Sequence, residues 1–266
     1  MTVAVEEGHW DVGAAKVRTM LAMLALDAGR VVSHADLADE LWSERPLANV
    51  RNALQAQATR LRRVLRERMG QPEATVVRAV QNGYVLDLPA QEVDAHRFLD
   101  QAARGIAALR ECPAHALEIL SEAARIWRGP ALVDAGDGLR CRSAAALFEE
   151  RRLIVLEDIA AARILVGEQR QAIAELRRLV DRYPLHERFC ALLMLALYRS
   201  GRQVDSLDVF HHTRQRLDRD LGVQPGAMLH RLHAQILAHS PALMSQDAVL
   251  DGERNSDHRV PTALTR

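Results

Sequence analysis

Between Val50 and Leu65 the apolar side chains return at Val50, Leu54, Ala58, Leu61 and Leu65, the spacing of three and four that gathers them on one side of a helix. With Leu54 at the centre, the others fall within about 40° of it at 100° per residue. The opposite side carries Asn52, Gln55, Ala56, Thr59, Arg63 and Arg66, with Arg60 and Arg62 on the flanks. A similar pattern predicts a helix over 14–27, with Val17, Met20, Leu21, Leu24 and Ala25 on one face and Gly29 closing it. "VVSHADLADELW" starts another, with Ser33 as N-cap, Asp36 three residues on, and Leu37, Leu41 and Trp42 on the apolar side. "SERPL" breaks that helix at Pro46, and Gly70-Gln71-Pro72 ends the arginine-rich one.

Two segments read instead as strands. "TVVRAVQNGYVLDL" places β-branched residues on both sides of Asn82-Gly83, a strong hairpin signal. Residues 2–12, "TVAVEEGHWDV", read as two short strands about a turn at Glu7-Gly8. Three helices and a closing hairpin within 90 residues imply a helix-turn-helix core with a wing. Beyond it the pattern is helical throughout, and it repeats. Gly167 and Gly201 are 34 residues apart, as are Ala162 and Ala196, the period of tetratricopeptide-type helix pairs. A less regular pair occupies 96–128, and a helix over roughly 226–238 caps the stack. After Ser240 no period remains, and the tail is expected to be disordered. The expected fold is mainly α: a winged helix-turn-helix with short β-hairpins over 1–90, an all-α tetratricopeptide-like domain over 91–240, and a tail over 241–266.

Composition agrees with helix-on-helix packing, since hydrophobic residues make up 48% of the 266 and aromatics only 4%. Basic and acidic residues balance at 35 each, but not locally. From Arg45 to Arg78 eight arginines face only Glu67 and Glu73, whereas residues 91–240 hold 21 arginines and 20 acids. Positive charge is therefore concentrated where an anionic partner would need it. Lys16 is the lone lysine, so arginine abundance itself reflects a GC-rich coding sequence more than a function. Cys112, Cys141 and Cys190 lack any paired spacing and read as thiols in a reducing cytosol. A short acidic N-terminus and the lack of a long apolar run imply no signal peptide and no membrane, hence a cytoplasmic, nucleoid-associated protein.

The polar side of the Val50–Leu65 helix is the residue set a major-groove helix wants. Amides pair with adenine, arginine with guanine, and a threonine or small residue sits against a thymine methyl. Flanking arginines, Arg62 above all, suit phosphates, which give affinity without sequence information. Arg78 and Asn82 lie at or near the hairpin tip, where a wing reaches a phosphate or the minor groove, while Tyr84 packs. An arginine-rich face alone more often just solvates a helix. The capped helix before it, the amides on it and the hairpin after it turn the reading to double-stranded DNA.

Other chemistry is thinner. His230 and His233 are three apart and His211-His212 adjacent, but no H-E-x-x-H or Cys/His cluster accompanies them, so no metal is expected. Asp134 and Asp137 lie in a loop with no partner base, and no nucleophilic triad or nucleotide cradle is present, so neither an enzyme nor a cofactor is expected. Trp127, before Arg128-Gly129-Pro130, reads as a core aromatic. A repeat scaffold that binds a protein, with a degenerate winged helix, is the alternative function.

In combination, "VVSHADLADELW", "RNALQAQATRLRRVL", "NGYVLDL", "DAHRF", "RIWRGPAL" and "LLMLALYRSGRQVDSL…LDRDLGVQPGAMLHRLHAQIL" resemble the SARP family of actinobacterial antibiotic regulatory proteins over residues 3–239. That family couples an OmpR-like winged helix to a bacterial transcriptional activation domain. The resemblance implies a pathway-specific activator that binds tandem promoter repeats as a head-to-tail homodimer and recruits RNA polymerase holoenzyme. It places groove contacts at Arg51, Asn52, Gln55, Thr59, Arg60 and Arg63, and wing contacts at Arg78 and Asn82. By analogy, Glu44 and Arg45 in "SERPL" are polymerase contacts. The dozen residues before the first helix are fewer than the family's opening sheet, through trimming or a start assigned too late. The appended ATPase module of larger relatives is not found, and Lys16 lacks P-loop spacing.

Overall fold

The computed structural model describes residues 2–5, 8–42, 48–69 and 76–250. They form two compact units. One holds the described residues up to Asp100 together with Arg125–Arg152; the other holds Gln101–Ala124 and the described residues from Leu153 onward. Compactness therefore does not follow the chain in order: a segment well past residue 90 belongs to the N-terminal unit.

The first unit opens with the expected antiparallel hairpin, β1 (Thr2–Val5) and β2 (Gly8–Asp11); Glu7, at its turn, lies outside the described residues. There follow α1 (Ala15–Leu26), β3 (Val31–Ser33), α2 (His34–Trp42), α3 (Val50–Met69), β4 (Val77–Val80) and β5 (Gly83–Leu86). β3 and β4 flank β5 in an antiparallel sheet. Sequence periodicity missed β3 because three residues are too few to show alternation and the strand runs straight into α2. Ser33 ends it and caps α2 as expected: its hydroxyl accepts from the Asp36 N–H at 3.0 Å and donates to the Asp36 carboxylate at 2.7 Å.

Met20, Met23, Leu24, Leu37, Leu54 and Leu61 are fully buried and form the centre of this unit's core. α1 buries more than the single stripe its sequence shows, including Thr19 and Ala22. The reason is distant in sequence. Ala135 and Cys141 join the same core, and Gly136 lies so close to α1 that a Cβ on it would stand 2.7 Å from Thr19 Oγ1.

The wing turn is Gln81-Asn82, one residue earlier than expected, because Gly83 already pairs with both Val80 and Ser33. Gly83 serves close approach rather than turning. A Cβ there would stand 2.0 Å from the Val32 carbonyl oxygen, far inside contact distance. Gly83→Ala should therefore force β3 off β5 and cost about 3 kcal/mol, the upper end for overpacking. Calorimetry checks this; an unaltered melting profile would mean that the sheet admits the methyl.

The 3-10 turn Ala90–Glu92 leads to α4 (Asp94–Ala108), α5 (Pro113–Arg125) and α6 (Leu139–Leu165), whose residues are shared by the two units. The second unit adds α7 (Gln169–Arg182), α8 (Glu187–Arg199), α9 (Gln203–Leu221) and α10 (Ala227–Leu237). α8 is its central helix, buried from Phe189 through Leu197. The period of 34 has a physical basis. Gly167 and Gly201 sit at equivalent interhelix turns with φ of 90° and 75°, the left-handed region that glycine enters without a Cβ penalty. Ala162 and Ala196 are both fully buried.

The expected disorder after Ser240 is corrected over the next ten residues. A 3-10 turn, Pro241–Met244, and a helical turn, Asp247–Leu250, pack into the second unit's core through Leu243 and Val249, both fully buried. Arg199 Nε donates to the Leu243 carbonyl at 2.9 Å, Arg188 donates to that of Val249, and Arg110 pairs with Asp247 at 2.9 Å. Two apolar anchors six residues apart make no helical or strand period, so the pattern gave no sign of them. Residues 251–266 lie outside the described residues, so the expectation for them stands apart from this finding.

Candidate nucleic-acid interface

α3 begins where the Asn49 side chain accepts from the Asn52 backbone N–H at 3.0 Å. No cap was singled out for this helix in the sequence, although an asparagine immediately ahead of an amphipathic run is a start signal. Leu54, Ala58 and Leu61 are fully buried and Leu65 nearly so, which fixes the rotation of the helix. The other side is turned out. Arg51, Asn52, Gln55, Ala56, Thr59, Arg60, Arg63 and Arg66 are all exposed.

Little inside the molecule competes for this face. The Thr59 hydroxyl donates to the Gln55 carbonyl at 2.9 Å, and Arg63 lies 3.9 Å from Glu67 in an exposed pair whose worth is small. Among the described residues no hydrogen bond or ion pair engages the side chains of Asn52, Gln55, Arg60 or Arg66. A stripe of amides and guanidiniums is thus held ready by the leucines behind it.

Arg62 differs from its flank neighbours. It is half-buried, its Nε donates to the Val77 carbonyl at 2.8 Å, and its guanidinium carbon lies 6.0 Å from the centre of the Tyr84 ring. It therefore joins α3 to β4 and β5. Tyr84 packs as expected: it is buried, His34 meets its ring edge-on, and burial raises its phenol pKa. Arg62→Ala should lower the melting temperature by removing a bond worth about 1 kcal/mol, with little change in the salt dependence of DNA affinity. A shallower salt slope at unchanged stability would return Arg62 to the phosphate class.

The wing residues divide. Asn82 is exposed at the tip, and its carbonyl accepts from the His34 N–H at 2.9 Å, fastening the turn to the start of α2. Arg78 is not at the tip: it lies along β4 opposite Val85, and its Nε bonds the Asp87 carboxylate at 2.8 Å. Gln81 shares the exposed tip and was not singled out in sequence because the turn was placed one residue late. Glu44 and Arg45 lie outside the described residues.

A second support escaped the sequence altogether. Glu40 of α2 is buried, and its carboxylate accepts from the backbone N–H groups of Arg140 and Cys141 at 2.9 and 2.8 Å, in the first turn of α6. Carboxylates are favoured there because those N–H groups have no helical partner. Burial and the neighbouring Glu40 push the Cys141 thiol up to about 12, so this cysteine stays protonated. Arg140 in turn pairs with Asp27 at 2.6 Å. The helix-turn-helix is thus tied to residues some hundred positions away.

The histidines do not gather as ligands. His233 stacks on Phe210 with ring centres 4.0 Å apart, and His211 and His230 meet the same ring edge-on. Among the described residues no group of three or more His, Cys, Asp or Glu is placed to hold a metal, and no helix is long and apolar enough to cross a membrane.

Two family models match this chain. One, described as the transcriptional regulatory protein C-terminal domain, covers residues 13–86; the other, the bacterial transcriptional activator domain, covers 93–237. The chain is 54% identical over 250 residues to the transcriptional regulator RedD of Streptomyces coelicolor, spanning 93% of this chain and 71% of that one. It is 36% identical over 238 residues to the regulatory protein DnrI of Streptomyces peucetius, spanning 86% of each. Its fold matches the structure of Mycobacterium tuberculosis EmbR in complex with a low-affinity phosphopeptide, with a TM-score of 0.83, 31% identity, and coverage of 92% of this chain and 65% of that one.

Proposed function

The chain belongs to the SARP family of antibiotic regulatory proteins, and from that premise we propose how this DNA-binding transcriptional activator works. α3 enters the major groove of promoter DNA. Asn52, Gln55, Thr59 and Arg63 read base edges, while Arg51, Arg60 and Arg66 hold phosphates. The wing reaches the flanking backbone through Asn82, with Arg78 behind it released from Asp87 where a phosphate competes.

The observation that carries this reading is the exposed amide-and-arginine stripe, engaged only by the weak Arg63–Glu67 pair and the Thr59 bond along the helix, on a helix whose leucine side is buried. A protein-binding scaffold has no use for that stripe. The sites are tandem direct repeats one duplex turn apart, on the order of 34 Å, occupied by two copies head to tail. Such a contact is heterologous and has no twofold axis, so DNA supplies the register. The bound pair then recruits RNA polymerase, with Glu44 and Arg45 as contacts, and switches on an antibiotic biosynthesis cluster in the cytoplasm, on the nucleoid.

A footprint on the upstream region of the protein's own gene cluster tests the whole reading. Two protected direct repeats with centres one turn apart are expected. Protection of an inverted repeat, or none at moderate salt, contradicts it.

A further inference from the structure

The first helix of the helix-turn-helix is held at both of its ends. At the start of α2 the His34 N–H donates to the Asn82 carbonyl of the wing at 2.9 Å. Near its other end the buried Glu40 carboxylate accepts from the Arg140 and Cys141 N–H groups of α6 at 2.9 and 2.8 Å. Between these two holds, Leu37 and Leu41 lie in one core with Leu54 and Leu61 of α3. Where α2 stands therefore decides where α3 and the wing tip stand.

The hold at Glu40 is a helix cap supplied from outside the helix. Gly138 is the N-cap position of α6, since it precedes Leu139 and its carbonyl accepts from the Arg142 N–H at 3.1 Å. A side chain at that position ordinarily accepts from the second or third N–H of its helix, which here belong to Arg140 and Cys141. Glu40 takes both. Gly138 has no side chain to offer, and the three atoms nearest to a Cβ placed on it are all of the Glu40 carboxyl group, close enough to clash. Glycine at 138 and glutamate at 40 are two halves of one arrangement.

The charges agree. The first turn of α6 carries Arg140 and Arg142 and no acid, the wrong sign for the positive end of a helix dipole. The missing carboxylates come from elsewhere in the first unit. Asp27, just after α1, pairs with Arg140 at 2.6 Å, Asp36 of α2 lies 3.9 Å from it, and Glu40 takes the N–H groups. An aspartate or serine at 138 would serve α6 by itself and leave α2 untied. A cap that reaches over from α2 needs a buried carboxylate, and what it adds is a fixed place for α2.

We propose that Glu40 is a positioning residue for DNA recognition. By capping α6 from α2 it fixes α2, and with it the angle at which α3 and the wing meet the duplex. The DNA-reading module thus extends beyond the winged helix to the first turn of α6. Glu40 is buried and acts only through the helices it joins. The proposal rests on α3 as the groove helix.

The test separates capping from positioning in the full chain. Glu40→Ala removes both. Glu40→Ala/Gly138→Asp gives α6 a cap of its own, in the space the carboxylate leaves, with α2 still untied. Melting temperature is measured for each, and anisotropy titrations with promoter and scrambled duplexes give the affinity per active chain. Glu40→Ala should melt earlier and bind the promoter about tenfold more weakly, the worth of one charge-assisted hydrogen bond. The double variant should regain most of the melting temperature while its promoter affinity stays down by a similar factor. Glu40→Gln, which keeps the shape and one acceptor, should fall between the wild type and Glu40→Ala. Promoter affinity at the wild-type level in any of the three variants overturns the proposal, because Glu40 then only holds the fold together. A wild type with no preference for the promoter would instead take down the groove reading of α3, and this proposal with it.

Discussion

A chain ended after Ser240 is expected to lose roughly 5 kcal/mol of stability in its second unit, since Leu243, Val249 and Leu250 each bring about 1.5–3 kcal/mol of burial. Leu243 and Val249 share a core with Phe189, Met194 and Ile236, so their removal exposes those residues as well as discarding the anchors. Arg199, partly buried and with its pKa lowered by that burial, would also lose the two carbonyls it bonds, those of Leu243 and Ser245. A loss of this size is a large share of a domain's usual margin of about 5–15 kcal/mol. Urea unfolding followed by circular dichroism measures it, and Leu243→Ala alone should account for about 2–5 kcal/mol. Equal midpoints for the full and shortened chains would show that the segment adheres without contributing.

Leu61→Ala is the second large effect, and it bears on function. Leu61 is fully buried between the exposed residues Arg60 and Arg63, in line with Leu54 and Ala58 and in one core with Met20 and Leu24 of α1. Truncation there leaves a cavity under the reading face at about 2–5 kcal/mol, while no groove-facing atom is removed. Both the melting temperature and the affinity for DNA should fall, because the stripe is then held less rigidly and a larger fraction of chains is unfolded. Arg63→Ala supplies the contrast: a loss of about 1–3 kcal/mol in affinity for the proper site with stability unchanged. If Leu61→Ala melts early yet binds DNA as the wild type does, the leucine side is not what aims the stripe.

How far the sequence carries this account depends on the range of the forces involved. The inward face of α3 and the Ser33 cap are local, set by residues three or four apart, and both were legible. The 34-residue repeat was legible because each copy solves the same packing problem with the same alanine and glycine. What escaped was either short or distant. β3 has three residues, and Gly83 looks like a turn residue until the Val32 carbonyl is seen against it. Glu40 reaches N–H groups a hundred residues away, and the anchors at Leu243 and Val249 carry no period. In the candidate site, the exposed stripe was legible from helical angles alone. Arg62 was not, since its bond to Val77 depends on how the wing folds back, and Arg78 looked like a tip residue until the strand register placed it opposite Val85.

The claim at the centre is that the carboxamides and guanidinium of α3 discriminate between DNA sequences. Fluorescence anisotropy with the promoter duplex and a scrambled duplex of equal length, for the wild type and for Asn52→Ala/Gln55→Ala/Arg63→Ala, tests it most directly. The account predicts that the triple variant melts like the wild type, keeps its weak binding to the scrambled duplex and loses its preference for the promoter. A triple variant that still prefers the promoter to the wild-type degree would contradict it.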